Sequence, residues 1–164
     1  MGDLDPSTLT SLHGLGVLLA ERGKLDQACP LLEQAMASRR KVLGDTHEDT
    51  LASICARASL AKQSGELALS TTLYAEAVAT YRETLDPKHT TTLETAMALV
   101  SVYLARGERD EAATLLADAC PVSLIKELGR GHKVTALYAA NVEQVCRALT
   151  VPCTNILSIC ISSC

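Results

Sequence analysis

The chain has 164 residues, 48% of them apolar, yet Phe and Trp are absent and only four Tyr are present. That length suits one domain, and so few rings leave almost nothing on which nucleic-acid bases could stack. With 15 Lys and Arg against 19 Asp and Glu, the net charge of −4 supplies no general attraction to phosphate, so no nucleic-acid partner is expected.

From the amino terminus onward, apolar residues recur at helical intervals. A helix is predicted over 7 to 22 and a second over 25 to 43, with Gly23 at the joint. Glycine suits that place because a helix often ends on a left-handed residue, which costs glycine nothing. The next pair spans 49 to 64 and 67 to 85 around Gly65, with Leu51, Ile54, Ala58 and Ala61 on one stripe and Ser70, Tyr74, Ala77 and Tyr81 on the other. A third pair spans 91 to 106 and 109 to 128 around Gly107, and a helix over 133 to 149 opens a fourth. Pro30 lies in the first turns of its helix, where proline costs little. Pro121 lies deeper in the sixth helix, and a kink or break is predicted there. The links GDTHED at 44 to 49, DPKHT at 86 to 90 and GRGH at 129 to 132 hold the residues expected where one helix stops and the next is capped, and none is long enough for a domain boundary.

These pairs are copies of one another. A shift of 42 residues brings Gly23, Gly65 and Gly107 into register, together with Ala35, Ala77 and Ala119, and with Leu31, Leu73 and Leu115. Thr8-Leu9, Thr50-Leu51 and Thr92-Leu93 open the units, and Leu32, Tyr74 and Leu116 fill one bulky slot. A helix pair of this length cannot bury its apolar stripes alone, so neighbouring units must stack. Small residues such as Gly16, Ala20, Ala28, Ala58, Ala61 and Ala112 allow the close approach that stacking needs. The expected fold is all-α: antiparallel helix hairpins in three full units, about 5–47, 48–89 and 90–132, with a partial fourth at 133–148.

The segment from Glu21 to Leu51 resembles the tetratricopeptide repeat in its longer, kinesin-light-chain form. Gly23, Ala28, Pro30, Leu31, Leu32, Ala35, Leu43, Gly44, His47, Asp49 and Thr50 match that form in place, and His89–Thr92 and His132–Thr135 repeat its last element. The resemblance covers roughly residues 5 to 148. It implies a right-handed superhelix whose concave wall, lined by the first helix of each unit, holds a peptide or helix of a partner protein. Carried over by position, that groove would include Thr10, His13, Val17 and Glu21, then Ala52, Cys55, Ser59 and Lys62, then Glu94, Met97 and Ser101, and finally Ala140, Asn141, Gln144 and Arg147. Chaperone co-factors of the superfamily grip a terminal carboxylate with Lys, Arg and Asn. Here His13, Val17, Cys55 and Ser59 stand at those places, so no carboxylate clamp is expected. Of the Asn pairs by which kinesin light chains hold a peptide backbone, only Asn141 is present, which argues against motor-cargo recognition.

The expected function is a non-catalytic scaffold for protein interaction. The chain shows no GxSxG, HExxH or glycine-rich phosphate loop, so no enzyme activity, cofactor or small-molecule substrate is expected. Seven Cys form no CxxC pair, and His13, His47, His89 and His132 are spread along the array, so no metal site is expected. Arg39-Arg40-Lys41 reads as a solvated helix end that complements the helix dipole. The amino terminus MGDLDPST lacks an apolar core, and the uncharged tail LTVPCTNILSICISSC is too short to span a bilayer; a cytoplasmic location without membrane association is the default. Two readings of residues 149–164 stay open: a short cap on the last unit, or the end of a truncated array, with truncation favoured. The alternative functions are the sensor region of a multi-domain signalling ATPase or transcription regulator, and a cargo-binding relative of kinesin light chains.

Overall fold

The computed structural model describes residues 5–85, 89–119 and 132–149. They form α1 (Pro6–Glu21), α2 (Leu25–Leu43), α3 (Glu48–Gln63), α4 (Leu67–Thr84), α5 (Thr90–Arg106), α6 (Arg109–Ala119) and α7 (Lys133–Leu149). Among the described residues there is no strand. The predicted break at Pro121 and the reading of the tail lie outside the described residues. Pro30 sits inside α2, which continues through it.

Local chemistry accounts for the helix ends. Asp5 Oδ1 accepts from the Ser7 amide at 2.8 Å, with Pro6 in the first turn behind it. The three link histidines do the same work for later helices. Nδ1 of His47, His89 and His132 accepts from the amides of Asp49 at 3.1 Å, Thr91 at 3.3 Å and Val134 at 3.2 Å. An imidazole accepts at Nδ1 only when neutral with its proton on Nε2, so each ring is assigned that tautomer. At the hairpin turns Gly23, Gly65 and Gly107 have φ of 73°, 83° and 81°. That left-handed backbone lets the amides of Lys24, Glu66 and Glu108 reach back to the carbonyls of Leu19, Ala61 and Tyr103, at 2.9, 2.8 and 2.9 Å. The same Schellman closure thus recurs three times.

By internal contacts the chain divides into two compact units, one running to Thr80 and the other from Tyr81. The division falls within α4 rather than at a link. In the first unit α1 packs on α2 and α2 on α3. Ala20, Ala28, Leu32 and Leu60 form a buried cluster shared by these three helices, with Val17, Leu19, Leu25, Cys29 and Ala56 packed against it. The approach is close: a Cβ on Gly16 would stand 2.7 Å from Leu32 Cγ. The Ser70 hydroxyl donates to the Ala58 carbonyl at 2.8 Å, tying α4 to α3. In the second unit α5, α6 and α7 pack mutually. Leu93, Val100 and Val102 of α5, Ala112 of α6, and Val134 and Val142 of α7 are buried there.

One expectation is corrected. Arg39 is not part of a solvated helix end; it is 3% exposed. Its Nη1 donates to the Asp49 carbonyl at 2.9 Å and to Ser53 Oγ at 2.8 Å, and its Nη2 to Thr10 Oγ1 at 3.3 Å. A guanidinium carries five donors in a rigid fork, so from α2 it satisfies acceptors on both α1 and α3 at once. Arg40 is half-buried and pairs with Glu76 and, at 3.2 Å, with Asp45.

Candidate functional site

The first helices of the first unit, α1 and α3, run side by side and present His13, Val17, Glu21, Cys55, Ser59 and Lys62. Glu21 is exposed and the other five are half-buried. Two of them are held from behind. His13 Nδ1 lies 3.2 Å from Ser53 Oγ, which also accepts from Arg39. Burial, and then the Arg39 charge, hold the His13 ring below its ordinary pKa, with Asp49 acting in the opposite sense. Ser59 is hydrogen-bonded to Tyr74 of α4, whose phenol is pushed up to about 12 chiefly by burial. Burial also lowers the Lys62 ammonium pKa. The result is a surface of mixed polarity, with Val17 and Cys55 as apolar elements and charge at Glu21 and Lys62.

In the second unit the first helices are α5 and α7. Glu94 and Ser101 remain half-buried on α5. Glu94 Oε2 pairs with Lys133 Nζ at 2.8 Å, and the Ser101 hydroxyl donates to the Ala98 carbonyl at 2.6 Å. Met97 and Asn141 stand elsewhere. Met97 is 2% exposed, and Asn141 is buried with its Nδ2 donating to the Met97 carbonyl at 3.0 Å. These two residues join α7 to α5, so their contacts run between helices. Ala140, Gln144 and Arg147 lie on the exposed side of α7.

The sequence reading placed Tyr74 on the apolar stripe of its helix but did not anticipate the backing residues Arg39 and Ser53. The signal available was that Arg39 and Tyr81 share one slot of the 42-residue register, as do Ser53 and Thr95. All four are buried. The second unit also holds an open cleft of about 580 Å³ between α5 and α6, lined by Leu99, Tyr103, Thr114 and Leu115 and by the carboxylates Asp110, Glu111 and Asp118. Arg82 partly neutralises its rim through a 2.8 Å pair with Asp118. Among the described residues no group of three or more His, Cys, Asp or Glu is placed to hold a metal ion. No described helix is long and apolar enough to cross a membrane.

Residues 7–82 and 92–132 match the tetratricopeptide repeat. The chain belongs to the tetratricopeptide repeat family. The unmatched interval between the two segments contains the link that joins the second hairpin to the third. Among solved structures, this array is similar to the nearly identical TPR-like repeats of a Podosopora anserina protein assigned as a kinesin light chain. Identity is 27% over 89% of this chain and 74% of that one, with a TM-score of 0.72. A point variant of that protein matches at 26% over 95% and 77%, again with a TM-score of 0.72. BtubC (BKLC) from P. vanneervenii shares the fold at 17% identity, over 99% of this chain and 64% of that one, with a TM-score of 0.81. No curated protein matches the chain. The family places the array among protein-interaction repeats, and the likeness to kinesin-light-chain-type repeats rests on the solved structures.

Proposed function

We propose that this array is a non-catalytic, cytoplasmic scaffold whose first helices hold a peptide or short helix of a partner protein. The observation that carries the reading is the wall of α1 and α3. Five of its six named residues are half-buried, neither sealed in the core nor fully solvated, and they mix apolar, hydroxyl and charged groups. A peptide laid there would bury apolar contacts at Val17 and Cys55 and meet one charge of each sign at Glu21 and Lys62. Recognition of a helix by such a wall follows from anchors spaced three and four residues apart. In the second unit Glu94 and Ser101 would serve the same role, with Met97 and Asn141 keeping α5 and α7 in place behind them.

The likeness to kinesin-light-chain repeats supports a narrower second reading, in which the bound segment belongs to a transported cargo. Asn141 argues against a simple transfer of that role, since its amide already donates to the Met97 carbonyl.

Peptides selected on the full chain from a phage-displayed library would test the wall. Ser59→Arg and Ser101→Arg should each reduce binding of peptides captured by their own unit by about tenfold or more, because a long charged side chain would occupy the surface. Circular dichroism should show helix content unchanged. Folded variants that bind as well as the parent would move the functional surface off the first helices.

A further inference from the structure

The polar network behind the α1–α3 wall fixes the tautomer of His13 as well as its position. A guanidinium can only donate, so the Ser53 oxygen accepts from Arg39 Nη1 at 2.8 Å. The hydroxyl then has one proton left to place. Ser53 is 0% exposed, and among the described residues the other partner of its Oγ is His13 Nδ1 at 3.2 Å. A buried donor left unpaired carries the full penalty of its desolvation, so the Ser53 hydroxyl donates to Nδ1. Nδ1 is therefore an acceptor, and the neutral ring carries its proton on Nε2.

Nε2 faces different conditions. Among the described residues it has no hydrogen-bond partner, yet it is not one of the polar atoms that are buried and unsatisfied, so its N–H reaches the solvent side of the half-buried ring. The same network resists a second proton. An imidazolium would present an N–H at Nδ1, and Ser53 would accept it only by turning its own proton away from any acceptor. The charged groups that bear on the ring are Arg39 from α2 and Asp49 from α3; α1 itself carries no Asp, Glu, Lys or Arg from Pro6 to Ala20. Burial first and Arg39 second disfavour the charged ring, and Asp49, with its side chain 56% exposed, opposes them.

We propose that His13 is the donor by which the first unit's wall recognises a carbonyl oxygen of the bound segment, with Ser53 and Arg39 as positioning residues that keep the ring neutral and its proton on Nε2. This rests on the reading of the α1–α3 wall as a peptide site. A segment seated over the ring excludes the remaining water and makes the imidazolium costlier still, so binding and protonation oppose each other. The device belongs to the first hairpin: at the slot of His13 the next two repeats place Cys55 and Met97, and at the slot of Arg39 the next places Tyr81.

Nitrogen-15 spectra of the histidine rings in the full chain test the assignment, with His13→Gln identifying the signal. At about pH 7.5 the parent ring should be protonated on Nε2 and bare on Nδ1. Ser53→Ala should populate the other tautomer, and Ser53→Thr should restore the parent pattern. The binding arm uses an amidated peptide selected on the full chain and lacking Asp, Glu and His, so that only the protein titrates. Its affinity should fall about fivefold or more from about pH 7 to 5. His13→Gln, whose amide N–H replaces Nε2–H, should bind within about twofold of the parent with a flat pH profile, and His13→Leu should lose about tenfold. A ring protonated on Nδ1, or one unchanged by Ser53→Ala, would overturn the proposal whatever the peptide does. If Ser59→Arg abolishes binding while His13→Leu binds like the parent, or the parent's pH profile is flat, the wall stands and the role of His13 falls. Unchanged binding by Ser59→Arg would remove the wall and this proposal with it.

Discussion

Position for position, the slot that holds Arg57 in the first compact unit holds Leu99 in the second, and the slot of Arg39 holds Tyr81. All four are buried. In these two comparisons burial does not depend on residue type, and the chemistry inside the slot varies with the unit. The first unit joins its helices with guanidinium groups that bring their own acceptors: Asp49, Ser53 and Thr10 for Arg39, and Glu33 at 3.0 Å and Glu66 at 3.6 Å for Arg57. The second unit relies on aliphatic contact, with Asn141 as a buried polar tie between α5 and α7. A charged residue in such a slot helps only as far as its donors find partners, and here the two arginines differ. The donors of Arg39 reach acceptors on α1 and α3, whereas Nη1 of Arg57 is buried without a partner.

The largest effect that would sharpen this contrast is expected at Arg39. Arg39→Ala removes three hydrogen bonds from a charged donor together with the packing of its stem, and should cost about 3 kcal/mol in urea unfolding. Asn141→Ala removes one neutral bond and should cost about 1 kcal/mol. If the two variants unfolded at the same urea concentration, the idea that the first unit depends more on polar ties would fail.

A smaller effect is expected at Arg57. Replacing a buried ion pair by a well-packed apolar residue is often neutral or stabilising. Glu33 and Glu66 are both half solvated, with side chains 55% and 50% exposed, so neither is stranded when its partner goes. Arg57→Leu installs the residue that the next repeat uses in this slot and should change stability by no more than about 1 kcal/mol. A loss as large as that of Arg39→Ala would show that the two arginines are equivalent after all.

The smallest effect is a pH dependence confined to the first unit. Folding holds the His13 pKa below its ordinary value of 6.5, by burial first and by Arg39 second. Above that value the ring is neutral in both states and contributes no pH dependence. Below it the unfolded chain binds the proton first, so stability falls as the pH drops through the ordinary value towards the lower folded one. Denaturation midpoints of the parent should therefore decline more between about pH 7.5 and 5.5 than those of His13→Gln. Parallel curves would show that His13 does not titrate differently on folding.

Helix positions and the hairpin register were determined by the sequence alone, because their causes are local. Gly23, Gly65 and Gly107 accept a left-handed φ that other residues resist, the histidine at each link caps the amide two residues on, and the apolar stripes carry the helical period. The wall residues His13, Val17, Glu21, Cys55, Ser59 and Lys62 were placed on α1 and α3 by the same register. Tertiary structure alone decided which polar residues are sealed and what they touch. Arg39 lies in a basic run that reads as solvated until α1 and α3 close over it. Met97 and Asn141 occupy repeat positions assigned to a groove, yet the packing of α7 on α5 buries both. Leu15 and Leu18 share their slots with buried residues, yet stand exposed. The physical reason is the same throughout: a residue's helical phase is set by its neighbours in sequence, but its solvent exposure is set by whatever packs against that phase, about one repeat away.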